Sequence, residues 1–308
     1  MSGTTMRAAC APLIEESVRR CADVMTLGAD GHALFAPVLR TRPDRFVEVG
    51  IAEANLVGIA AGLARTGWRP VVGAMAPFLV RRAYEQLRVD VSIPRLPVVL
   101  LGVGGGLSYG ALGPTHHTVD DVALMSALPS MDIYCPADAA DAAAVLRHCL
   151  PPAAPTYVRL TARQDPQVFS ADTVGDPREV RLLRDGRDVL VLATGRCAAE
   201  ALAAADECAD RGVDVAVGVV TCLRPFPDAQ VAALAQRWPL IVTAAEALRF
   251  GGLGARVAAA VADHPVRLVQ LAVDHRHPPV AAHEELLGFY GLDRTAIAAA
   301  VATLLVEG

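Results

Sequence analysis

The sequence predicts an α/β protein of two domains, each built on a mostly parallel sheet with helices on both faces. Short, continuous apolar runs alternate with alanine-rich helical patterns along the 308 residues. Such runs are typical of parallel strands that are buried on both faces. The alternation occurs in two series, and a segment rich in proline, aspartate and arginine, residues 163–188, separates them.

Each series supplies four predicted strands. The first series contains "PVVGAMAP", "LPVVLLGV", "MDIYCP" and "TYVRL"; the second contains "DVLVLATG", "VDVAVGVVT", "PLIVTAAE" and "RLVQLAV". The pattern "CAAEALAAADECADRG" predicts a helix that ends on glycine, and "DAQVAALAQRW" predicts a helix after a proline turn. We expect domains over residues 1–175 and 176–308, with the boundary inside the polar segment.

Composition excludes several classes of protein. No apolar run approaches the roughly 18 residues of a membrane span. The net charge is -5 and the basic residues are scattered, so we expect neither a nucleic-acid nor a membrane partner. All 28 basic residues are arginine, which excludes a Schiff-base lysine and a P-loop lysine. Seven cysteines without a C-x-x-C pair, and an N-terminus without a signal core, favour reduced thiols in the cytoplasm.

A glycine run, "GVGGGLSYG" at residues 102–110, follows a predicted strand. A dinucleotide-binding fingerprint needs glycine at its first, third and sixth positions. Counted from Gly102, the sixth position is Leu107. The spacing therefore argues against a dinucleotide site.

The stretch "GPTHHTVDD", residues 113–121, places two histidines near two aspartates. Two interpretations stay open from these residues alone. His116, His117 and Asp120 could bind a metal, although adjacent side chains point in different directions. Alternatively, Asp120 or Asp121 caps the helix "DVALMSAL" and the histidines lie on the surface. We expect no metal ligands in this chain.

Glu53 lies at an otherwise apolar, glycine-punctuated helix start within the stretch "RFVEVGIAEANLVGIAAGLA", residues 45–64. A buried carboxylate costs several kcal/mol unless it is paired or neutral, so either Glu53 has a partner from outside the segment or the segment is not buried. The simpler alternative is a glutamate at a helix start that the helix dipole stabilises.

Together these stretches resemble the C-terminal half of transketolase and of related thiamine diphosphate enzymes. The residues that carry the resemblance are the Glu53 stretch, "RRAYEQLRVDV", "GPTHH" followed by "ALPSMDIYCPADAADA", "YVRLTARQDP", "TAAEALRFGGLGARVA" and "GFYGLDRTAI". They occur in the order and at the spacing of the family from about residue 20 onward. The resemblance implies a pyrimidine-binding domain, a transketolase C-terminal domain, and thiamine diphosphate as cofactor.

The resemblance also implies residues that contact the cofactor. Glu53 would hydrogen-bond a ring nitrogen of the aminopyrimidine and so activate the cofactor. Phe78 and Met75 would lie around the aminopyrimidine, where Met75 replaces an aromatic residue of the family and still offers a thioether for packing. Asp30 falls where relatives carry an aspartate near the cofactor, and it is equally suited to a turn.

Substrate groups follow from the same resemblance. His116 would be catalytic and contact the reacting end of the donor, and Arg163 would bind a phosphate or another anionic tail. Sugar-phosphate transketolases usually carry a histidine and an aspartate where this chain has Gly104 and Leu112. The loss of these polar groups puts the ordinary ketose phosphate in doubt.

One part of the family's site is missing from the sequence. The family binds Mg²⁺ and the diphosphate with a G-D-G segment and a later asparagine, whereas this chain has no G-D-G and its single asparagine is Asn55. Mg²⁺ requires further oxygen ligands besides the phosphates. The resemblance therefore implies a separate subunit that carries the diphosphate and Mg²⁺ site, in a heterotetramer of two plus two chains.

We therefore expect one subunit of a split, thiamine diphosphate-dependent transketolase-like transferase that moves a two-carbon ketol or acyl unit. Two alternatives remain. One is the beta subunit of a 2-oxoacid decarboxylating or dehydrogenase-type enzyme. The other is a non-catalytic structural partner subunit.

Overall fold

A computed structural model describes residues 4–170, 172–274 and 279–306. The predicted class is confirmed: the chain forms two α/β units, each with a mostly parallel sheet flanked by helices. The strands are β1 Val24–Gly28, β2 Phe46–Glu48, β3 Arg69–Met75, β4 Val99–Val103, β5 Asp132–Tyr134, β6 Thr156–Leu160, β7 Val180–Arg184, β8 Val189–Ala193, β9 Val215–Val220, β10 Cys222–Arg224, β11 Leu240–Leu248 and β12 Arg267–Val273.

The helices alternate with these strands. They are α1 Met6–Arg20, α2 His32–Thr41, α3 Glu53–Arg65, α4 Ala76–Arg82, α5 Tyr84–Gln86, α6 Asp121–Ser126, α7 Ala139–Cys149, α8 Cys197–Ala209, α9 Asp228–Arg237, α10 Leu253–Ala260, α11 His283–Tyr290 and α12 Arg294–Val306. Local signals explain several of their starts: the Asp138 carboxylate caps α7 by accepting the N–H of Asp141, and Thr5 caps α1 in the same way.

The first sheet has the order β10-β5-β6-β4-β3-β1-β2, and the second has the order β12-β11-β8-β9-β7. Strands β4, β8 and β9 are buried along their whole length, as their continuous apolar runs predict. One buried apolar cluster contains Leu56 and Leu100 of the first unit together with Trp238 and Leu253 of the second. The two units therefore share part of their core.

Two strands differ from the sequence-based expectation. The run "VDVAVGVVT" and the residues after it divide into β9 and β10, and β10 leaves the second sheet to pair antiparallel with β5 of the first. The guanidinium of Arg224 on β10 donates to three carbonyls of the first unit, those of Ser126, Leu128 and Pro129. A continuous apolar run has no internal period that could mark such a division.

The polar segment 163–188 also contains a strand. Strand β7 pairs antiparallel with β9 at an edge of the second sheet, and only one of its residues is fully buried. An antiparallel edge strand needs few buried side chains, so its composition is like that of a linker. The boundary between residues 175 and 176 lies between β6 and β7 and stays a prediction.

One helical stretch, His283–Val306, has the length and a mean hydropathy of 1.4 that would suit a membrane span. The structure divides it into α11 and α12 at Gly291, whose φ is 68°. Leu286, Ile297 and Val301 of this stretch are buried within the cluster around the second sheet. Core helices of a water-exposed fold share this composition, so the hydropathy alone does not identify a span.

Ionisable side chains are buried where the two units meet. Among them is Asp165, which accepts a hydrogen bond from the Thr161 hydroxyl and lies 4.0 Å from the Arg196 guanidinium. Burial raises the pKa of Asp165 from 3.8 to about 6. The contribution of Asp165 to the free energy of unfolding is therefore fully present below the pKa of the unfolded state, where the carboxyl is protonated in both states. This contribution is lost as the pH rises through about 6 and the buried carboxyl ionises.

Replacing Asp165 with asparagine should therefore stabilise the protein more at neutral pH than in mild acid. We expect the free energy of unfolding to rise by about 1 to 3 kcal/mol at pH 7.5, and by clearly less at pH 5, since one pKa unit corresponds to about 1.4 kcal/mol. Urea unfolding at both pH values measures this, with the exposed Asp263→Asn as control. An equal change at the two pH values would contradict the role of ionisation.

Candidate active site

The predicted site residues follow the ends of parallel strands. Asp30 follows β1, Glu53 follows β2, Phe78 follows β3 and Arg163 follows β6, while Met75 is the last residue of β3. The C-terminal ends of parallel strands lie along the same side of a sheet, and ligands of open α/β sheets bind outside these strand ends. The order of the elements alone therefore places these residues along one side of the first sheet.

Glu53 is the first residue of α3, and 4% of it is exposed. Its carboxylate has a partner within the chain that the sequence did not reveal: Oε2 lies 3.3 Å from Nη1 of Arg82. The Arg82 side chain is half exposed, so this ion pair is only partly shielded from water. The position at the helix start also favours a negative charge.

The Arg82 guanidinium also lies over the ring of Phe78, 4.1 Å from its centroid. This planar, nitrogen-bearing cation thus stacks on Phe78 and pairs with Glu53 at the same time. An aminopyrimidine would make the same two kinds of contact, stacking and a hydrogen bond to a carboxylate. Glu53 and Phe78 therefore offer two contacts that suit the pyrimidine end of the implied cofactor, and Arg82 makes both of them in this structure.

The ring of His116 lies beside Phe78, with their centroids 5.2 Å apart in an edge-on arrangement. Nδ1 of His116 is 2.9 Å from the hydroxyl of Thr115, and the side chain is half-buried. The Tyr109 ring also lies near His116 in an edge-on arrangement, with the ring centroids 6.2 Å apart. Sequence reasoning did not identify Tyr109, although it lies within the glycine run already singled out.

Asp30 and Met75 meet at a small cavity of about 100 Å³, to which Tyr109 and Arg7 also contribute. Asp30 is exposed, with φ of 53°, and its backbone N–H donates to the Glu48 carboxylate at 3.0 Å. The cavity thus connects these two residues to Tyr109, the neighbour of His116.

Arg163 is separate from this group. Its side chain is exposed, and no hydrogen bond or ion pair of its guanidinium occurs within residues 4–170, 172–274 and 279–306. What Arg163 has in common with the other predicted residues is only that it follows the C-terminal end of a strand of the first sheet. Its role in binding a substrate anion stays a prediction.

The two aspartates after the histidines do not cap α6. Asp120 forms a two-pronged ion pair with Arg81, at 2.7 and 2.9 Å. Asp121 is buried, pairs with Arg159 at 3.0 Å and accepts the Tyr157 hydroxyl at 2.8 Å. The capping interpretation is wrong: the Asp120 side chain makes no capping hydrogen bond, and both carboxylates instead form ion pairs with arginines.

His117 is buried, which also contradicts the expectation that both histidines lie on the surface. Its Nε2 donates to the Gly110 carbonyl at 3.3 Å, and burial lowers the pKa of its imidazole. Within the described ranges, no three His, Cys, Asp or Glu side chains are placed to hold a metal ion.

The glycine run provides space for three side chains. A Cβ on Gly104 would lie 2.1 Å from the Tyr109 ring, one on Gly105 would lie 2.2 Å from Cγ of Arg159, and one on Gly106 would lie 2.1 Å from the Glu246 carboxylate. Real Cβ atoms do not approach so closely, so a larger residue at any of these positions would force the neighbouring side chain to move. The absence of a histidine at residue 104 is thereby tied to the presence of Tyr109, next to His116.

Comparison with known proteins identifies the family of the chain. A family model described as the transketolase pyrimidine-binding domain matches residues 2–166, and one described as the transketolase C-terminal domain matches residues 178–297. The chain belongs to the transketolase family. The transketolase resemblance of the sequence is thus confirmed.

Several relatives are named as transketolase subunits. An apulose-4-phosphate transketolase subunit of Phocaeicola vulgatus is 32% identical over 288 residues, which are 92% of this chain and 91% of that protein. The 6-deoxy-6-sulfo-D-fructose transketolase subunit SqwH of Clostridium sp. strain MSTE9 is 35% identical over 251 residues, 81% of this chain and 78% of that protein.

Solved structures support the same assignment. A structure described as "Split gene transketolase, inactive beta4 tetramer" superposes with a TM-score of 0.88 at 31% identity, and the match covers 99% of both chains. A transketolase from Pichia stipitis superposes with a TM-score of 0.79 at 15% identity, where this chain covers 46% of that one. The second similarity shows the fold alone.

Proposed function

We propose that this chain is the beta subunit of a split, thiamine diphosphate-dependent transketolase-like enzyme that transfers a two-carbon ketol or acyl unit. The observation that supports it most directly is the arrangement of Glu53 and Phe78. The planar Arg82 guanidinium pairs with the buried Glu53 carboxylate at a helix start and also lies over the half-buried Phe78 ring. When bound, thiamine diphosphate supplies the carbon nucleophile and electron sink for such a transfer.

The residues of this chain bind, orient and move protons around that cofactor. The Glu53 carboxylate would hydrogen-bond a ring nitrogen and take part in proton transfer there. Phe78 would stack on the ring, and Met75 and Asp30 line a nearby cavity of this chain that Tyr109 shares. Arg82 has to leave the face of Phe78 for the ring to stack there.

His116 is proposed to contact the donor substrate. Its Nδ1 is engaged by Thr115, so Nε2 is the nitrogen suited to a hydrogen bond or a proton transfer. Arg163, exposed at the same sheet edge, would bind an anionic tail of the substrate. Leu112 is 53% exposed and, like Gly104, offers no side-chain acceptor for a sugar hydroxyl. A donor with fewer hydroxyls, or without a phosphate, suits these residues better than a ketose phosphate.

We propose that a second subunit provides the diphosphate and Mg²⁺ site. The absence of a G-D-G segment and the placement of the single asparagine beside Glu53 support this division. Relatives that are named as transketolase subunits support it as well. We place the assembly, a heterotetramer of two plus two chains, in the cytoplasm.

Titration calorimetry tests this proposal. Thiamine diphosphate with Mg²⁺ is titrated into this chain alone, and then into its mixture with the diphosphate-binding transketolase subunit of the same genome. We expect tight binding only in the mixture, and weaker binding of thiamine, which lacks the diphosphate. Tight binding by this chain alone would refute the division of the site, and no binding to either sample would favour a non-catalytic subunit.

A further inference from the structure

The second domain contacts the loop that carries His116. The Leu248 N–H, at the end of β11, donates to the carbonyl of Val119 at 2.8 Å. Two residues earlier on the same strand, the Glu246 carbonyl accepts a hydrogen bond from Nη2 of Arg159 at 2.7 Å. Strand β11 therefore reaches the chain just beyond His116 directly, and also through an arginine of the first domain.

Arg159 joins the second domain to that loop. The Nη2 group that donates to Glu246 also donates to the carbonyl of Thr118 at 2.6 Å. The side chain extends from β6, and 7% of the residue is exposed. Its charge is balanced by Asp121 at 3.0 Å, and its aliphatic part fills the space that Gly105 leaves free.

Thr118 is held on two sides. Its backbone forms a two-way bridge with Gly106: the Gly106 N–H donates to the Thr118 carbonyl at 2.9 Å, and the Thr118 N–H donates to the Gly106 carbonyl at 2.8 Å. The Thr118 carbonyl thus accepts from both Gly106 and Arg159. His116 lies two residues earlier, and the bonds of its own side chain are confined to its neighbour Thr115 and ring contacts within the described residues.

We propose that Arg159 is a positioning residue for His116. By joining the carbonyls of Thr118 and Glu246, it holds the loop so that the His116 ring stays against Phe78, and it makes the second domain a support of the active site. Its effect on turnover rests on the proposed function, whereas its effect on the position of His116 does not.

Histidine NMR of this chain, labelled with ¹³C at the imidazole carbons, tests the proposal without substrate. The His116 signal is identified by its loss in His116→Gln. Arg159→Lys keeps the positive charge, but a single ammonium nitrogen cannot lie beside Asp121, as Nε does, and also donate to the two carbonyls that Nη2 reaches. We expect this variant to shift or broaden the His116 signal, because the edge of that ring lies in the ring current of Phe78. Arg69→Lys is the matched control, since Arg69 pairs with Asp23 away from the site.

A second variant acts on Arg159 without changing its charge. In Gly105→Ala the new Cβ would lie 2.2 Å from Cγ of Arg159, so the arginine side chain has to move. Gly105 has no positive φ, so alanine does not strain the backbone there. We expect this variant to shift the same His116 signal. Folded variants that keep the signal at its wild-type position would overturn the proposal. If neither variant folds, amide hydrogen exchange of the wild-type protein provides the test. The proposal requires the backbone amides of residues 116–119 to exchange as slowly as those of β11. Exchange as fast as in an exposed loop would overturn the proposal.

In the complex of both subunits, Arg159→Lys should lower kcat about tenfold or more with little change in the KM of the donor. A merely structural role would lower the amount of folded enzyme and leave both constants of the remaining fraction unchanged. An inactive wild-type complex would count against the proposed function and would leave the NMR result on Arg159 intact.

Discussion

Replacing Glu53 with glutamine is expected to reduce turnover of the reconstituted enzyme about 10³-fold. General acid–base catalysis contributes roughly 10² to 10⁴ in rate, and glutamine cannot take up or share the proton at the ring nitrogen. The amide keeps the size of the side chain, so stacking on Phe78 and the fold should be retained. Initial rates in the mixture of both subunits measure the effect, with calorimetry to confirm that the cofactor still binds.

A matched control is available on α11. Glu284 lies in the first turn of that helix and is exposed, so Glu284→Gln removes the same charge from an equivalent position near a helix start. It should leave the rate within about twofold, since loss of a helix-dipole interaction costs stability and not turnover. Equal effects of the two substitutions, or wild-type turnover of Glu53→Gln, would show that Glu53 is only a helix-start glutamate.

The largest effect on stability is expected at Asp141, on α7 of the first domain. Its fully buried carboxylate accepts hydrogen bonds from Arg181 at 2.7 Å, from the Thr221 hydroxyl at 2.6 Å and from the Ala137 N–H at 2.9 Å. Arg181 and Thr221 belong to the second domain, and 8% of Arg181 is exposed. Asp141→Ala would leave a buried guanidinium without its counter-charge.

We expect Asp141→Ala to lower the free energy of unfolding by about 3 to 5 kcal/mol, which is the usual cost of breaking one side of a buried ion pair. Urea unfolding followed by circular dichroism measures it. Asp206→Ala is the control, because Asp206 pairs with Arg184 at 2.6 Å with a side chain that is 80% exposed. That substitution should cost less than about 1 kcal/mol. Similar changes in the free energy of unfolding for the two variants would mean that the buried ion pair of Asp141 and Arg181 contributes little to stability.

The sequence predicted the fold class, because continuous apolar runs indicate buried parallel strands. Phe78 and His116 were named from the resemblance to the transketolase family, and the structure brings their rings into contact. The roles of the predicted site residues, Glu53 and Arg163 among them, stay predictions.

Contacts between distant residues were not predictable in the same way. Arg82 has no special pattern around it, yet it pairs with Glu53, 29 residues earlier. Asp120 and Asp121 looked like caps because a cap is a local signal, whereas their arginine partners come from α4 and β6. Charged side chains pair with oppositely charged groups that folding brings close to them. The pattern of residues along the sequence does not show which groups these are.

By itself, the sequence determined two α/β units, a transketolase-type chain, and the absence of its metal-binding motif. Only the tertiary structure decided that β10 crosses to the first sheet, that three glycines accommodate Tyr109, Arg159 and Glu246, and that the second domain holds the loop of His116. The reason is physical. Periodicity and motif spacing act along the chain, whereas close packing and the pairing of buried charges act between segments that meet only after folding.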